Sequence, residues 1–430
     1  MVTPRRASSP ATTTPVGPAP TTTTCGTTLP VRRPARAAAP VDDDPGGRRT
    51  TPEERMDEVA DVAVVGAGPA GAATALRVLQ LCPGARVLLL DAAAFPRDKV
   101  CGDGIAAPVF DLLDALGAPG LDALGPPVSG LRVHSPGGRS VVADCARPSR
   151  VVPREVFDAA LVDAAVARGA VLRRHRVRRV EVRPDRVVLD GEVHARVVVG
   201  ADGAHSVVRR ALGAPPAPDG ATAMAVRGYA RTNGDPDALV IAFARAAPPA
   251  YAWSFPLPGG RANVGYGVFG APRASKRELL DRLDAELPGL DLDPATVRGH
   301  HLPLSTGPRF QPDGRVLLVG DAAALVNPVT GEGIFYGVAS GALAARAALL
   351  GAGAGAALRA ALRRSLGRHH RHVGALARAV PHARFVDAAV VAAGRDRRVF
   401  DAIVEVGLER GTASPRVLAS IAADYLRLLR

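Results

Sequence analysis

Residues 61–71 (DVAVVGAGPAG) carry the spacing GxGxxG where an apolar run meets an Ala-rich one, and Asp91 follows twenty positions after the last glycine. That combination suits the holding of a pyrophosphate. Gly66 permits a tight turn, Gly68 lets the backbone approach the phosphates, and Gly71 lets a helix pack closely on its strand. The positive end of that helix favours the anion, while Asp91 is placed to accept the ribose hydroxyls. Strand, helix and acid at these offsets lift the match above a bare glycine turn, so a dinucleotide is the expected ligand; the spacing leaves FAD and NAD both open.

Two further aspartates close apolar runs, Asp202 in VVVGADG and Asp321 in VLLVGDAA after Gly320. An acid at the carboxyl end of a parallel strand reaches a ligand in the sheet crevice. The plainer alternative is a turn followed by a helix cap. Tyr251, Trp253 and Phe255 alternate, which on a strand puts all three on one face, as the lining of an apolar, chain-shaped pocket or as ordinary sheet core. Aromatic residues make up only 4% of the sequence, so three on one face favour a special surface. Cys101 and Tyr251 are candidate proton donors. The four cysteines, Cys25, Cys82, Cys101 and Cys145, show no CxxC spacing, and no metal site is expected.

Together these elements resemble a large FAD-dependent family that includes p-hydroxybenzoate hydroxylase, squalene epoxidase, tryptophan halogenases and geranylgeranyl reductases, over Val62 to about Gly341. Within it, YAWSFP at residues 251–256, followed after eight residues by Gly265 and Gly267 in GYG, resembles the geranylgeranyl reductase signature YxWxFP and GxG. The segment ending CGDG at residues 101–104 resembles the PxxxxCGG element of the same reductases, with Asp103 where the pattern has glycine, a variant similar to bacterial menaquinone-chain reductases.

The resemblance implies FAD as cofactor, with Asp202, Gly320 and Asp321 toward its pyrophosphate and ribityl portions. It places Gly331 and Gly333 of NPVTGEG along the isoalloxazine and Arg154 within reach of the cofactor. Tyr251, Trp253, Phe255, Gly265 and Gly267 would then meet the substrate, with Cys101, Tyr251 and Trp253 as catalytic candidates. The implied activity is saturation of carbon–carbon double bonds in an isoprenoid chain, polyprenyl menaquinone or a geranylgeranyl group, by hydride from reduced flavin. NADPH or another electron donor would bind transiently. One rival is a monooxygenase or halogenase of the same fold; Tyr251 and Phe255 stand where the halogenase pattern WxWxIP has Trp and Ile, which favours the reductase. The other is a non-catalytic, flavin-bound module at a membrane surface.

The elements that must position these residues read as strand 62–65, helix 70–81, strand 86–90 and helix 154–168. Short strands follow near 177–182, 187–189 and 197–199, then a strand-rich stretch 223–268, and helices from Gly337 onward. GAGAG at 351–355 reads as a flexible connection between Ala-rich helices. The expected fold is α/β: a Rossmann-like FAD-binding domain with an inserted mixed-sheet substrate domain and a C-terminal helical region. Residues 58–105, 150–215 and 311–350 fall to the cofactor, 106–149 and 216–310 to the substrate, and 351–430 to the helical region. Residues 1–57, rich in Thr, Pro and Ala, lack the apolar periodicity a folded segment needs.

The 430 residues carry a formal charge of +13, mostly from arginine, without the aromatic interleaving of a nucleic-acid binder, so no nucleic-acid partner is expected. Every apolar run is broken before it could cross a bilayer. The expected location is cytoplasmic, with peripheral contact to an anionic membrane, and the expected partner is an isoprenoid lipid or quinone. Oligomeric state has no signature.

Overall fold

The computed structural model describes residues 59–218, 220–245, 249–270, 274–307 and 310–430. The expected tail, 1–57, lies outside the described residues. The apolar run after Val59 forms β1 (Ala60–Val65), buried along nearly its whole length as a strand inside a layered sheet must be. Parallel neighbours flank it: β2 (Val87–Asp91) and then β6 (Val171–Arg174) on one side, β9 (Val193–Gly200) on the other. The far edge of β9 is shared. Its beginning pairs antiparallel with β8 (Val187–Leu189), which continues to β7 (Val180–Val182), and its end pairs parallel with β16 (Val316–Leu318).

The helix after β1 is α1 (Pro69–Leu81), and α6 (Ile334–Ala348) lies against it at backbone distance. A Cβ added at Gly341 would stand 2.3 Å from the Ala70 carbonyl oxygen, so only glycine admits this crossing. Beyond β2 the chain runs through α2 (Ala107–Ala115) and later α3 (Arg154–Ala167).

The second sheet has nine strands. It contains β3 (Gly104–Ile105), β4 (Pro127–His134), β5 (Ser140–Val151), β10 (Thr222–Arg231), β11 (Ala238–Phe243), β12 (Ala250–Leu257), β13 (Arg261–Phe269), β14 (Asp291–Leu292) and β15 (Arg298–Pro303). Their order is β14-β10-β13-β12-β11-β4-β5-β3, with β15 also on β10; β11 and β4 run parallel and the other pairs antiparallel. Residues 104–105 and 150–151, assigned to the cofactor part from sequence, thus pair with each other in this second sheet. One side of β10, β12 and β13 packs on α5 (Lys276–Glu286) through Val226, Ala252, Val264, Leu279 and Leu283.

Four helices complete the fold: α7 (Ala354–Leu376), α8 (Ala383–Arg395), α9 (Arg397–Leu408) and α10 (Pro415–Arg427). The last three bury Ala388, Val390, Phe400, Val417 and Ile421 against Val128, Leu131, Val141 and Leu239 of β4, β5 and β11. Asp387 pins α8 to the β4–β5 turn by accepting from Ser135 Oγ at 2.5 Å and Gly137 N at 2.8 Å. The GAGAG segment corrects the sequence expectation. Gly351–Gly353 forms one 3₁₀ turn, and Gly355 already belongs to α7, where an added Cβ would stand 2.1 Å from the Pro312 carbonyl oxygen; the glycine serves close docking, not flexibility. Among the described residues no helix is long and apolar enough to cross a membrane.

Candidate functional site

The turn between β1 and α1 shows what it is shaped for. Gly66 has φ +98° and an added Cβ would stand 2.3 Å from the Ala201 carbonyl oxygen, so the fold itself requires glycine there. Gly71 is likewise structural, with an added Cβ 1.9 Å from the Gly66 oxygen. Gly68 differs. Its backbone angles are open to any residue, and an added Cβ would meet nothing nearer than Arg97 Nη2 at 3.6 Å. The protein makes no demand at Gly68, yet the residue faces the main cavity at the N-terminus of α1, which has no side-chain cap. A cradle left bare in this way fits a pyrophosphate.

Asp91, at the end of β2, also faces this cavity. Its carboxylate accepts from Ala67 N at 2.9 Å and Ala93 N at 3.0 Å and pairs with Arg97, so it braces the glycine turn. Arg154, at the start of α3, is buried and held by Asp158 through two bonds of 2.6 and 2.8 Å, with Arg97 joining Asp158 at 3.1 Å. The sequence reading missed Asp158, although its position four residues after Arg154 on one helix face was the available signal.

Asp202 makes the turn-and-cap contacts of the plainer alternative while also fronting the cavity. Its carboxylate accepts from Ser206 Oγ, Val207 N and Val208 N, capping α4 (Val207–Ala211). Burial pushes its acid upward despite those donors. Asp321 sits in a 3₁₀ turn, Gly320–Ala323, and an added Cβ at Gly333 would stand 3.4 Å from its Oδ1. Gly320, Asp321, Gly331, Glu332 and Gly333 all front the cavity. Glu332 is enclosed, and burial raises its carboxyl to about 7 while the Phe335 amide donates to it at 2.7 Å.

The cavity, about 800 Å³ in all, continues from the glycine turn into an apolar chamber. The second sheet supplies one wall, including Leu239, Ile241, Phe243, Tyr251, Trp253 and Phe255; α8, α9 and α10 supply the other, including Val386, Val390, Phe400 and Ile421. The three aromatics of β12 do share the face that looks into this space. Tyr251 Oη donates to the Thr330 carbonyl, joining the chamber to the NPVTGEG loop. Gly267 lies in the wall, whereas Gly265 does not: an added Cβ there would stand 2.2 Å from Trp253 Cζ2, so its part is to make room for the indole.

Beneath the aromatics runs a polar chain that the sequence did not reveal. Trp253 Nε1 donates to Asn263 Oδ1 at 3.0 Å, and Asn263 Nδ2 donates to Asp103 Oδ2 at 2.8 Å and to the Cys101 carbonyl at 2.9 Å. Tyr229 Oη donates to the same Asp103 oxygen at 2.7 Å. Asp103 is fully buried with φ +61°, and burial raises its acid to about 6 although both donors oppose the shift. These partners explain how an aspartate replaces glycine in CGDG: the side chain enters a polar slot behind the wall. Cys101 faces the cavity, and burial keeps its thiol protonated well above its ordinary range. Lys99 and His300, also on the cavity, meet at 2.8 Å, with burial and then the Lys99 charge pushing the imidazole down to about 3.

A second network fastens the helical wall to the NPVTGEG loop. Asn327 Nδ2 donates to the Val406 carbonyl at 3.0 Å and Thr330 Oγ1 to the Gly407 carbonyl at 2.7 Å. Tyr336 Oη stands 2.6 Å from His369 Nε2 and donates to the Glu409 carbonyl at 2.6 Å.

Comparison with known proteins matches residues 59–364 to a family described as FAD binding domain. The chain is 35% identical over 315 residues to the menaquinone reductase of Mycobacterium tuberculosis, covering 67% of this chain and 76% of that protein. It is 33% identical over 310 residues to digeranylgeranylglycerophospholipid reductase 2 of Methanopyrus kandleri, with the same coverages, 67% and 76%. A geranylgeranyl bacteriochlorophyll reductase-like protein from Thermoplasma acidophilum shares the fold at TM-score 0.72 and 20% identity, over 86% of this chain and 98% of that one. A flavin-dependent brominase shares it at TM-score 0.65 and 17% identity, over 86% and 100%.

Proposed function

The chain belongs to the FAD-binding-domain family, in its geranylgeranyl reductase branch, and from that premise we propose that it saturates carbon–carbon double bonds in the isoprenoid chain of a lipid or quinone. It is an FAD-dependent oxidoreductase. The observation that carries the substrate assignment is the continuity of the cavity, from the bare Gly68 cradle past Cys101 into a chamber walled by aromatic and aliphatic side chains. Such a chamber matches a flexible hydrocarbon, not a polar aromatic. Polyprenyl menaquinone is the preferred substrate, in keeping with the mycobacterial relative.

Bound FAD would supply the hydride. The Gly66 turn, Asp91, Arg154, Gly320, Asp321 and the loop through Gly331 and Gly333 would hold it, and the chamber would exclude water from the alkene. The second carbon of the double bond needs a proton. Both candidates line the cavity and burial raises both acids, but the Tyr251 hydroxyl proton is committed to the Thr330 carbonyl, which favours Cys101 Sγ. Trp253 shapes the wall. NADPH or a protein carrier would reduce the flavin in a transient encounter in the cytoplasm.

The test is mass spectrometry of quinones and prenyl lipids after anaerobic incubation with dithionite-reduced protein, against an unincubated control. A gain of two hydrogens per double bond is the expected result. Unchanged lipids, with oxygen consumed only when a small aromatic is added, would transfer the protein to the monooxygenase reading.

A further inference from the structure

We propose that α10 is a membrane-docking helix that seats the open end of the cavity on an anionic lipid bilayer. The inference deepens the proposed function, from which it takes the premise that the substrate is a membrane lipid.

The inner side of α10 is ordinary, with Val417 and Ile421 buried in the core shared with the second sheet. Its outer side is not. Leu418, Ala422 and Leu426 succeed one another at helical spacing and Leu429 follows in the turn after the helix; all are exposed, Leu426 by 60% and Leu429 by 49%. A surface helix normally turns charged and polar residues to water on that side. The acid between Pro415 and Arg430, Asp424, is 3% exposed and tied to Arg395 at 2.5 Å and Arg427 at 2.8 Å. The exposed surface of this segment therefore offers leucine, alanine and the arginines Arg416, Arg427 and Arg430, with no exposed carboxylate side chain.

An apolar face edged by arginine is the composition of a helix lying in the headgroup region of a bilayer, and its charge complements anionic lipid. Position supplies the second argument. Leu418 of α10 and Ile403 of α9 are each more than a third exposed and each also line the cavity, so the chamber opens beside this same face. A hydrocarbon chain could pass from bilayer to chamber without exposing its apolar surface to water.

The experiment is co-sedimentation of the full-length, FAD-loaded protein with phosphatidylcholine vesicles, with and without about one-third phosphatidylglycerol. It is run beside the double variant Leu426→Glu/Leu429→Glu, whose positions lie outside the cavity wall. The wild type is expected to sediment with the anionic vesicles and to be released by salt, and the double variant to bind about tenfold less while keeping its FAD and its turnover of detergent-dispersed substrate. A second variant, Arg416→Gln/Arg430→Gln, should weaken the salt-sensitive part alone. Equal sedimentation of wild type and Leu426→Glu/Leu429→Glu, or no sedimentation of the wild type, overturns the proposal. So does a wild-type dimer that the leucine variant converts to monomer without vesicle binding, which would give the face to a second copy. If the wild type fails to reduce detergent-dispersed lipid, the reductase reading falls, and the sedimentation still decides the docking surface.

Discussion

At the residue scale, Asp103 and Gly68 are each explained by what surrounds them. The folded state holds the Asp103 proton up to about pH 6, against an ordinary 3.8 in the unfolded chain. Between those values the folded state binds the extra proton, so the stability contributed below the unfolded value is lost as pH rises through about 6. Asp103→Asn keeps an oxygen to accept from Tyr229 and Asn263 but cannot ionise. Its Tm should exceed that of the wild type at pH 8, by a stability on the order of 2–3 kcal/mol, and the two should converge near pH 4. A gap independent of pH would show that this acid titrates in the ordinary range. Gly68→Val, whose Cβ would make only ordinary contacts, the nearest with Arg97 Nη2 at 3.6 Å, should leave the circular dichroism spectrum unchanged while abolishing retention of FAD, read from the visible flavin absorbance of the purified protein. Retained flavin would mean that the pyrophosphate lies elsewhere.

Elements carry the next level of specificity. The α1–α6 crossing brings the glycine turn and the NPVTGEG loop to the same end of the cavity, because Gly341 lets the two backbones touch. Gly341→Val forces the helices apart. A loss of about 3 kcal/mol or more in denaturant unfolding is expected, together with weaker FAD binding, since the turn and the loop both move. The loop is held from the other side by the 406–409 carbonyls, through Asn327, Thr330 and Tyr336. The helical wall and the NPVTGEG loop are therefore one connected assembly, and a displacement of α9 would be felt at the loop.

The whole molecule encloses the chamber only because the second sheet and the C-terminal helices face each other across it. Ala389 of α8 lies in that wall, and Ala389→Trp fills part of the space without touching the glycine turn. The variant should retain FAD and reduce short prenyl chains near the wild-type rate, while its kcat/KM for long chains falls at least about tenfold. Equal losses for short and long chains would place the hydrocarbon in another part of the cavity.

Much of the cofactor half was legible because its determinants are local. β1, the turn, α1 and β2 occupy residues 60–91, and within that unit Gly66 is required by its φ of +98° and Gly71 by the Gly66 oxygen 1.9 Å from its added Cβ. The aromatic face of β12 was legible from a period of two, and the likeness to FAD-dependent reductases followed from motifs in their order. Asn263 was not, since one amide within an apolar strand announces nothing until Trp253, Asp103 and Cys101 are folded around it. The α8–α10 wall was not legible either. Helical periodicity shows that each of these helices must bury a face, but the partner surface, Leu131, Val141 and Leu239, lies some 150 to 300 residues earlier in the chain. The sequence by itself determined the dinucleotide turn, the α/β order of elements and, through motifs in their order, the likeness to FAD-dependent reductases, because those depend on short-range turns and strands; only tertiary structure decided what encloses the apolar chamber, because that depends on which distant apolar faces meet.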